Sequence, residues 1–329
     1  MTRLVQIGLG PLGQKMVRFA LARGLRIVAA VDPAADKTGR DLGELCGLPR
    51  LNVRVRASLA EALRGRSADA AMITTVSALK AFLPQAAAAV RAGLDIVSTC
   101  EELSFPWEKQ PALAARLDRL CRQHGVTCLG TGVNPGYLMD FLPTVLTGLC
   151  QDVRAVRVWR VQDASVRRVP FQQKIGAGLT PAQFRAKVRA GTLRHVGLPE
   201  SVGLIARRLG WILTRQTESL APILATRAIT SGYMPIRKGM ACGVQQFGRG
   251  FMGSREVISL TFRAAVGEPQ SYDRIEIDGE PPVRSTIEGG VNGDIATCAI
   301  ALNAIRSVGE AAPGLKTMCE ITPVAFWEA

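Results

Sequence analysis

Near its start the chain reads Arg3-Leu4-Val5-Gln6-Ile7-Gly8-Leu9-Gly10-Pro11-Leu12-Gly13, an apolar run followed by glycines spaced G-x-G-x-x-G. Alone, that spacing is a weak signal. Here it follows a buried-strand pattern and opens a helical one, Pro11–Arg23, the context in which such a loop holds a pyrophosphate. Gly8 permits the tight turn, Gly10 lets backbone approach a phosphate, and Gly13 lets helix and strand lie close together. Pro11 suits the first helical turn, where its missing N–H costs nothing. With Leu12, that turn offers free N–H groups and the positive end of the helix dipole. Gly8, Gly10, Pro11, Leu12 and Gly13 therefore form a candidate dinucleotide loop.

The next strand pattern, Arg26–Val31, ends at Asp32, about twenty residues beyond the loop. An acid there accepts hydrogen bonds from the adenosine ribose and repels a 2′-phosphate, which favours NAD. Lys37 and Arg40 follow closely and can accommodate that phosphate, so NADP stays open. Strand and helix patterns then alternate. Asp69–Thr75, Asp95–Ser98 and Val126–Gly130 read as buried parallel strands, and Leu59–Leu63, Leu79–Ala92 and Pro111–Gln123 as helices. This is the signature of a doubly wound α/β sheet. Thr75, Cys100 and Asn134 stand where such strands end or just beyond, facing the cofactor crevice.

Beyond residue 150 the texture changes. Val153–Val161, Ser254–Ala265 and Ser271–Asp278 read as strands, with helical patterns at Pro181–Ala190 and Pro199–Leu209. Strand now follows strand, which predicts an antiparallel α+β domain. The expected division is a Rossmann domain over 1–135 and a substrate and oligomerisation domain over 136–289. Residues 290–329, with the helix Asn292–Val308, are expected to return to the first domain.

Composition bounds the partners. At 329 residues and 47% hydrophobic content, two well-buried domains are expected. No run approaches the roughly 20 apolar residues of a membrane span, and the opening residues lack a signal-peptide pattern. The eight cysteines never reach CxxC spacing and there are only two histidines, so no zinc site is expected. Buried reduced thiols in a cytoplasmic protein are the expectation. The net charge is +14, yet the arginines are scattered and aromatics make up 5%, so no nucleic-acid module is legible. A solvated basic surface accounts for the charge, with attraction of phosphate-bearing cofactors as the alternative.

Two segments carry candidate chemistry. After the strand Asp95–Ser98 comes Thr99-Cys100-Glu101-Glu102-Leu103-Ser104-Phe105-Pro106-Trp107. Adjacent carboxylates point in different directions, so one of Glu101 and Glu102 faces the crevice; a solvated pair at a helix start is the alternative. After the strand Val126–Gly130 comes Thr131-Gly132-Val133-Asn134-Pro135-Gly136-Tyr137-Leu138-Met139-Asp140. Asn134 offers both a donor and an acceptor, suited to a carboxamide or a substrate. Phe171–Gly178 and Arg194–Ser201, which includes His195, have no mechanism legible from spacing.

Together GLGPLG, TCEELSFP, GTGVNPGYLMD, KIGAG and HVGLPES resemble the 2,4-diaminopentanoate dehydrogenases and the native amine dehydrogenases related to them. The resemblance runs from the first strand to about residue 205 and implies a fold similar to dihydrodipicolinate reductase. It implies NAD(P)-dependent oxidative deamination of a small amine or diamine to a carbonyl and ammonia, with reductive amination as the reverse. It also implies a working glutamate at Glu102 or Glu101. Glu102 is favoured, because the analogous turn of homoserine dehydrogenases carries their lysine there. A homodimer through the second domain's sheet is a further implication. Tyr137, Met139, Phe171 and His195 are the candidate substrate-pocket residues, with Trp107 beside them. Two alternatives stand: reduction of another imine or carbonyl, such as a semialdehyde, and an NAD sensor without turnover. Polar residues crowding two successive strand ends weigh against the sensor.

Overall fold

The computed structural model describes residues 2–165, 167, 169–193, 196–232 and 234–328. The chain forms two compact units, Met1–Tyr137 with Asn292–Ala329, and Leu138–Val291. No helix among the described residues is long and apolar enough to cross a membrane.

Unit 1 begins β1 (Arg3–Ile7), α1 (Pro11–Ala22), β2 (Arg26–Val31), α2 (Leu42–Leu45), β3 (Val55–Arg56) and α3 (Leu59–Ala62). It continues with β4 (Ala70–Ile73), α4 (Leu79–Arg91), β5 (Asp95–Ser98), α5 (Pro111–His124) and β6 (Thr127–Gly130). Unit 2 holds α6 (Phe141–Leu146), β7 (Asp152–Asp163), α7 (Val169–Lys174), α8 (Pro181–Arg189), α9 (Leu198–Leu209), β8 (Arg215–Leu224), β9 (Ile229–Thr230), β10 (Pro235–Ile236), β11 (Ala241–Met252), β12 (Arg255–Ala265), β13 (Tyr272–Glu280) and β14 (Val283–Glu288). The chain then completes unit 1 with α10 (Gly293–Gly309) and β15 (Gly314–Lys316).

The seven strands of unit 1 lie in the order β15-β6-β5-β4-β1-β2-β3, and every neighbouring pair is parallel. The chain winds outward from β1 to β3, then crosses to β4 on the other side of β1. That reversal creates a crevice beyond the carboxyl ends of β1 and β4, where doubly wound sheets bind ligands. Burial on both faces explains the continuous apolar runs: all four residues of β4 are buried. β3 and β15 have two and three residues, too short to show a period in sequence.

Unit 2 carries a six-stranded sheet in the order β14-β13-β7-β12-β11-β8. It is mixed, not antiparallel as the strand-after-strand pattern suggested: β12 runs parallel to β7 from Ile258↔Val156 to Ala265↔Asp163. Hairpins such as β11–β12 and β13–β14 announce themselves locally, whereas β7 and β12 pair across almost a hundred intervening residues. Strand β11 escaped the sequence pattern because Gly243, Gly248 and Gly250 depress strand propensity. Packing demands the first of these, since a Cβ on Gly243 would lie 2.0 Å from the Ala264 carbonyl oxygen. Helix α9 covers one face of the sheet, and Val202 and Ile205 join Val156, Val158, Leu260 and Phe262 in the core.

A buried ion pair crosses this sheet. Arg160 Nη1 donates to Asp273 Oδ1 at 2.6 Å, with side-chain exposures of 2% and 6%. Arg160 Nη2 and Gln162 Nε2 donate to the Val291 carbonyl at 2.9 and 3.0 Å, and Val291 N–H donates to Asp273 Oδ2 at 2.8 Å. Burial lowers the Arg160 pKa from the ordinary guanidinium value, and Asp273 acts against that.

Candidate cofactor and active site

Because all unit 1 strands are parallel, the segments that follow β1, β2, β4, β5 and β6 meet at one edge of the sheet. The first is the glycine loop. Gly8 takes φ +91°, and a Cβ there would sit 2.6 Å from the Thr75 methyl carbon and 2.8 Å from the Thr74 carbonyl oxygen. A Cβ on Gly13 would fall 2.0 Å from the Gly8 carbonyl oxygen. The fold itself requires these two glycines. Gly10 differs: a Cβ there meets no protein atom within 4 Å. Gly10 caps α1 and Pro11 occupies its first turn, so the open space lies at a helix N-terminus whose first N–H groups lack intrahelical partners. A dinucleotide pyrophosphate fits there, with Leu12 and Gly13 supplying N–H groups and Gly10 the clearance.

Two residues that the sequence pattern did not single out brace this loop. Gln6 Nε2 donates to the Gly8 carbonyl and to Thr74 Oγ1, both at 2.9 Å, and Thr74 Oγ1 donates to Gly8 O at 3.0 Å. Gln6 is 2% exposed among the buried apolar residues Leu4, Val5 and Ile7, and that was the readable signal. Thr75, beside Thr74, turns its hydroxyl to Gln85 Oε1 at 2.8 Å.

Asp32 follows β2. Its Oδ2 accepts the Leu9 N–H at 2.8 Å and the Lys37 ammonium at 2.9 Å, while Oδ1 accepts the Ala34 N–H at 3.0 Å. Burial pushes this carboxyl upward, but Lys37 and the two backbone donors outweigh it and hold Asp32 below the usual carboxylate range. Asp32 and Lys37 are thus one ion-paired unit just beyond the end of β2.

Beyond β5, Glu101–Leu103 form a single 3-10 turn. Glu102 Oε2 accepts the Leu79 N–H at 2.9 Å and the Gln110 side-chain amide at 2.6 Å. Leu79 is the first residue of α4, and Ala78 has no side chain able to cap it, so Glu102 serves as the cap from a distant segment. Glu101, like Glu102, is half-buried. The Cys100 thiol donates to the Ser77 carbonyl at 3.2 Å, and burial pushes its pKa up to about 12. Cys100 is therefore a neutral, buried packing group. Phe105 and Trp107 lie against each other with ring centres 5.3 Å apart.

Beyond β6, Asn134 is 8% exposed, and neither Oδ1 nor Nδ2 has a hydrogen-bond partner; Thr131 Oγ1 is likewise buried without one. The loop is held to α10 by the Val133 N–H, which donates to Thr297 Oγ1 at 3.2 Å. A buried amide with both ends open costs free energy unless something pairs with it. A carboxamide such as that of nicotinamide offers the matching donor and acceptor.

Tyr137, half-buried, is the last residue of unit 1's first segment. Met139 and Phe171 belong to unit 2: Met139 is 0% exposed in its core, and the Arg167 guanidinium lies 4.1 Å from the Phe171 ring centre. His195 falls outside the described residues. Unit 2 also joins two motifs whose meaning was not legible. Ser201 Oγ donates to Asp140 Oδ2 at 2.9 Å, and Asp140 Oδ1 accepts the Phe141 N–H at 2.7 Å. The segments ending in Asp140 and Ser201 thus meet in one buried hydrogen bond, which ties α6 to α9.

Residues 137–328 match the profile of the 2,4-diaminopentanoate dehydrogenase C-terminal domain. A 2,4-diaminopentanoate dehydrogenase from Acetoanaerobium sticklandii is 30% identical, covering 97% of this chain and 93% of its own. The chain belongs to the 2,4-diaminopentanoate dehydrogenase family. An amine dehydrogenase from Streptomyces virginiae is 26% identical over 95% of this chain and 94% of its own. The structure of an amine dehydrogenase from Mycobacterium smegmatis superposes with a TM-score of 0.88 at 26% identity, covering 99% of this chain and 98% of that one. This family member is accordingly an oxidoreductase of the amine dehydrogenase kind, with a Rossmann unit for a nicotinamide cofactor.

Proposed function

We propose that the chain catalyses reversible oxidative deamination of a small amine or diamine to a carbonyl compound and ammonia, with NAD as the preferred cofactor. The observation that carries this reading is the pairing of two features at adjacent strand ends, the carboxylate turn Glu101–Glu102 after β5 and the open Asn134 amide after β6. The cofactor, when bound, supplies hydride transfer. The chain's own residues bind it and orient it: the loop Gly8–Gly13 at the pyrophosphate, Asp32 with Lys37 at the ribose, and Asn134 at the carboxamide. Glu102, held by Leu79 and Gln110, is the fixed carboxylate that stabilises the cationic iminium and relays a proton to the departing water. Tyr137, on the segment that follows β6, is assigned to the substrate's apolar part.

Asp32 favours NAD, since a 2′-phosphate would meet its carboxylate; Lys37 moderates that repulsion and leaves NADP as the weaker cofactor. The eight thiols are all free, which suits a reducing cytoplasm. A homodimer through the unit 2 sheet is part of this proposal and rests on the family resemblance.

The test is NAD(P)H absorbance with a panel of ketones and aldehydes, each with and without high ammonium. Oxidation that requires ammonium is the expected result. Oxidation without ammonium would make the chain a carbonyl reductase, and none in either case would leave a cofactor-binding protein without turnover.

A further inference from the structure

The glycine loop is one anion site of unit 1; a second concentration of positive charge lies at the far edge of the same sheet. Val55 on β3 is 0% exposed, so Arg54 and Arg56 on either side of it turn outward together. Arg64 and Arg66 leave the end of α3 around Gly65, and Arg66 Nη1 is anchored on the Val28 carbonyl at 2.5 Å. These four arginines line a depression of about 400 Å³, with Glu61 and Ala62 completing the wall. Among the described residues, none of the four is in an ion pair, and Glu61 is the single acid in the lining. Arg66 also borders a neighbouring cleft of about 840 Å³ that Arg3 and Arg26 help to line.

Four guanidinium groups around one concavity repel one another unless an anion lies among them. Arginine presents a planar fork of donors that matches phosphate oxygens in pairs, and several forks facing one space match several adjacent phosphates. The lining has no aromatic side chain on which a base would stack, so the phosphate chain and not a nucleobase would be the recognised group. We propose that Arg54, Arg56, Arg64 and Arg66 form a second phosphate site, apart from the dinucleotide loop, for a small ligand bearing two or more linked phosphates. None of the lining residues belongs to the loop Gly8–Gly13, and the proposal does not depend on the amine chemistry.

The experiment is calorimetric titration of inorganic tripolyphosphate into the full chain saturated with NAD, at low salt. Single-site binding is expected, weakened about tenfold or more in Arg54→Ser/Arg64→Ser and less in Arg54→Lys/Arg64→Lys, which keeps charge but loses the fork. The serine variant should keep its melting temperature and its NAD affinity. A single Arg64→Ser variant, expected to show a smaller loss, repeats the comparison if the double variant does not fold. Four results would overturn the proposal: no heat beyond dilution, loss of binding when NAD is added, undiminished binding in the folded serine variants, or a preference for duplex DNA over tripolyphosphate.

Discussion

Glu102 and Leu79 are joined across the fold: one carboxylate oxygen of Glu102 accepts the first backbone N–H of α4 at 2.9 Å. The proposed catalytic acid is therefore also a helix cap, and the two roles can be separated chemically. Glu102→Gln keeps an oxygen able to accept from Leu79 but removes the negative charge. Its thermal midpoint should stay near that of the parent, while turnover falls by about 10²–10⁴-fold. Glu102→Ala removes both roles and should also lose about 1 kcal/mol of stability. Thermal melts beside steady-state rates check this. A Glu102→Gln enzyme with near-normal turnover, alongside an inactive Glu101→Gln, would move the chemistry one residue.

The Asp32–Lys37 pair is proposed to govern cofactor choice. On that proposal Asp32→Ser removes the carboxylate that would face a 2′-phosphate and frees Lys37 to meet it, so kcat/KM with NADP should rise relative to NAD by about tenfold or more. The same carboxyl has a pH signature. Its folded pKa lies below the ordinary value, so its contribution to stability is present above that ordinary value, about 4, and is lost as pH falls through the folded one. Asp32→Asn should therefore flatten the loss of stability in acid. Denaturation midpoints at neutral pH and in the acid range measure it; an unchanged pH profile would remove Asp32 from that role.

Asn134 offers a sharper trade. Both ends of its amide are buried and unpartnered in the protein alone. Replacing a buried unsatisfied amide with a side chain of similar volume removes a penalty of about 1–3 kcal/mol. Asn134→Leu should thus melt no lower than the parent without cofactor, while its KM for NAD rises and kcat falls. Calorimetry of the cofactor-free protein and saturation kinetics read the two effects independently. A variant that melts lower but keeps its NAD kinetics would make Asn134 a structural residue.

What the sequence makes legible follows from how local the cause is. Gly13 is readable because the Gly8 carbonyl that excludes its Cβ lies in the same strand-turn-helix unit, whereas the Thr74 contact of Gly8 comes from the segment after β4. Asp32 is readable because a recurring motif fixes its spacing from the glycine loop. Glu102's cap is not, because Leu79 lies 23 residues earlier and nothing in either segment names the other. The Asp140–Ser201 bond spans 61 residues and was equally silent, although both segments stood out as motifs. Gly243 reads as a strand breaker until the Ala264 carbonyl is seen beside it. The parallel pairing of β12 with β7 is non-local too, and local texture suggested a purely antiparallel sheet. Gln6 was the missed opportunity, a polar residue in a buried strand that has to find partners.

The Arg160–Asp273 pair tests how unit 2 is held together. Both side chains are almost wholly buried, and between them they grip the N–H and the carbonyl of Val291, the last residue of the unit. Removing one partner strands the other charge in the core, at a cost of about 3–5 kcal/mol. Asp273→Ala should therefore lower the denaturation midpoint severely, and Arg160→Met nearly as much. The double variant Arg160→Met/Asp273→Leu leaves no stranded charge and should recover most of the loss, though not the grip on Val291. Hydrogen exchange at the Val291 amide then separates the two contributions: it should stay fast in the double variant even where the midpoint recovers. Additive losses from the two single changes would mean that the charges are not coupled and that the side chains act by packing alone.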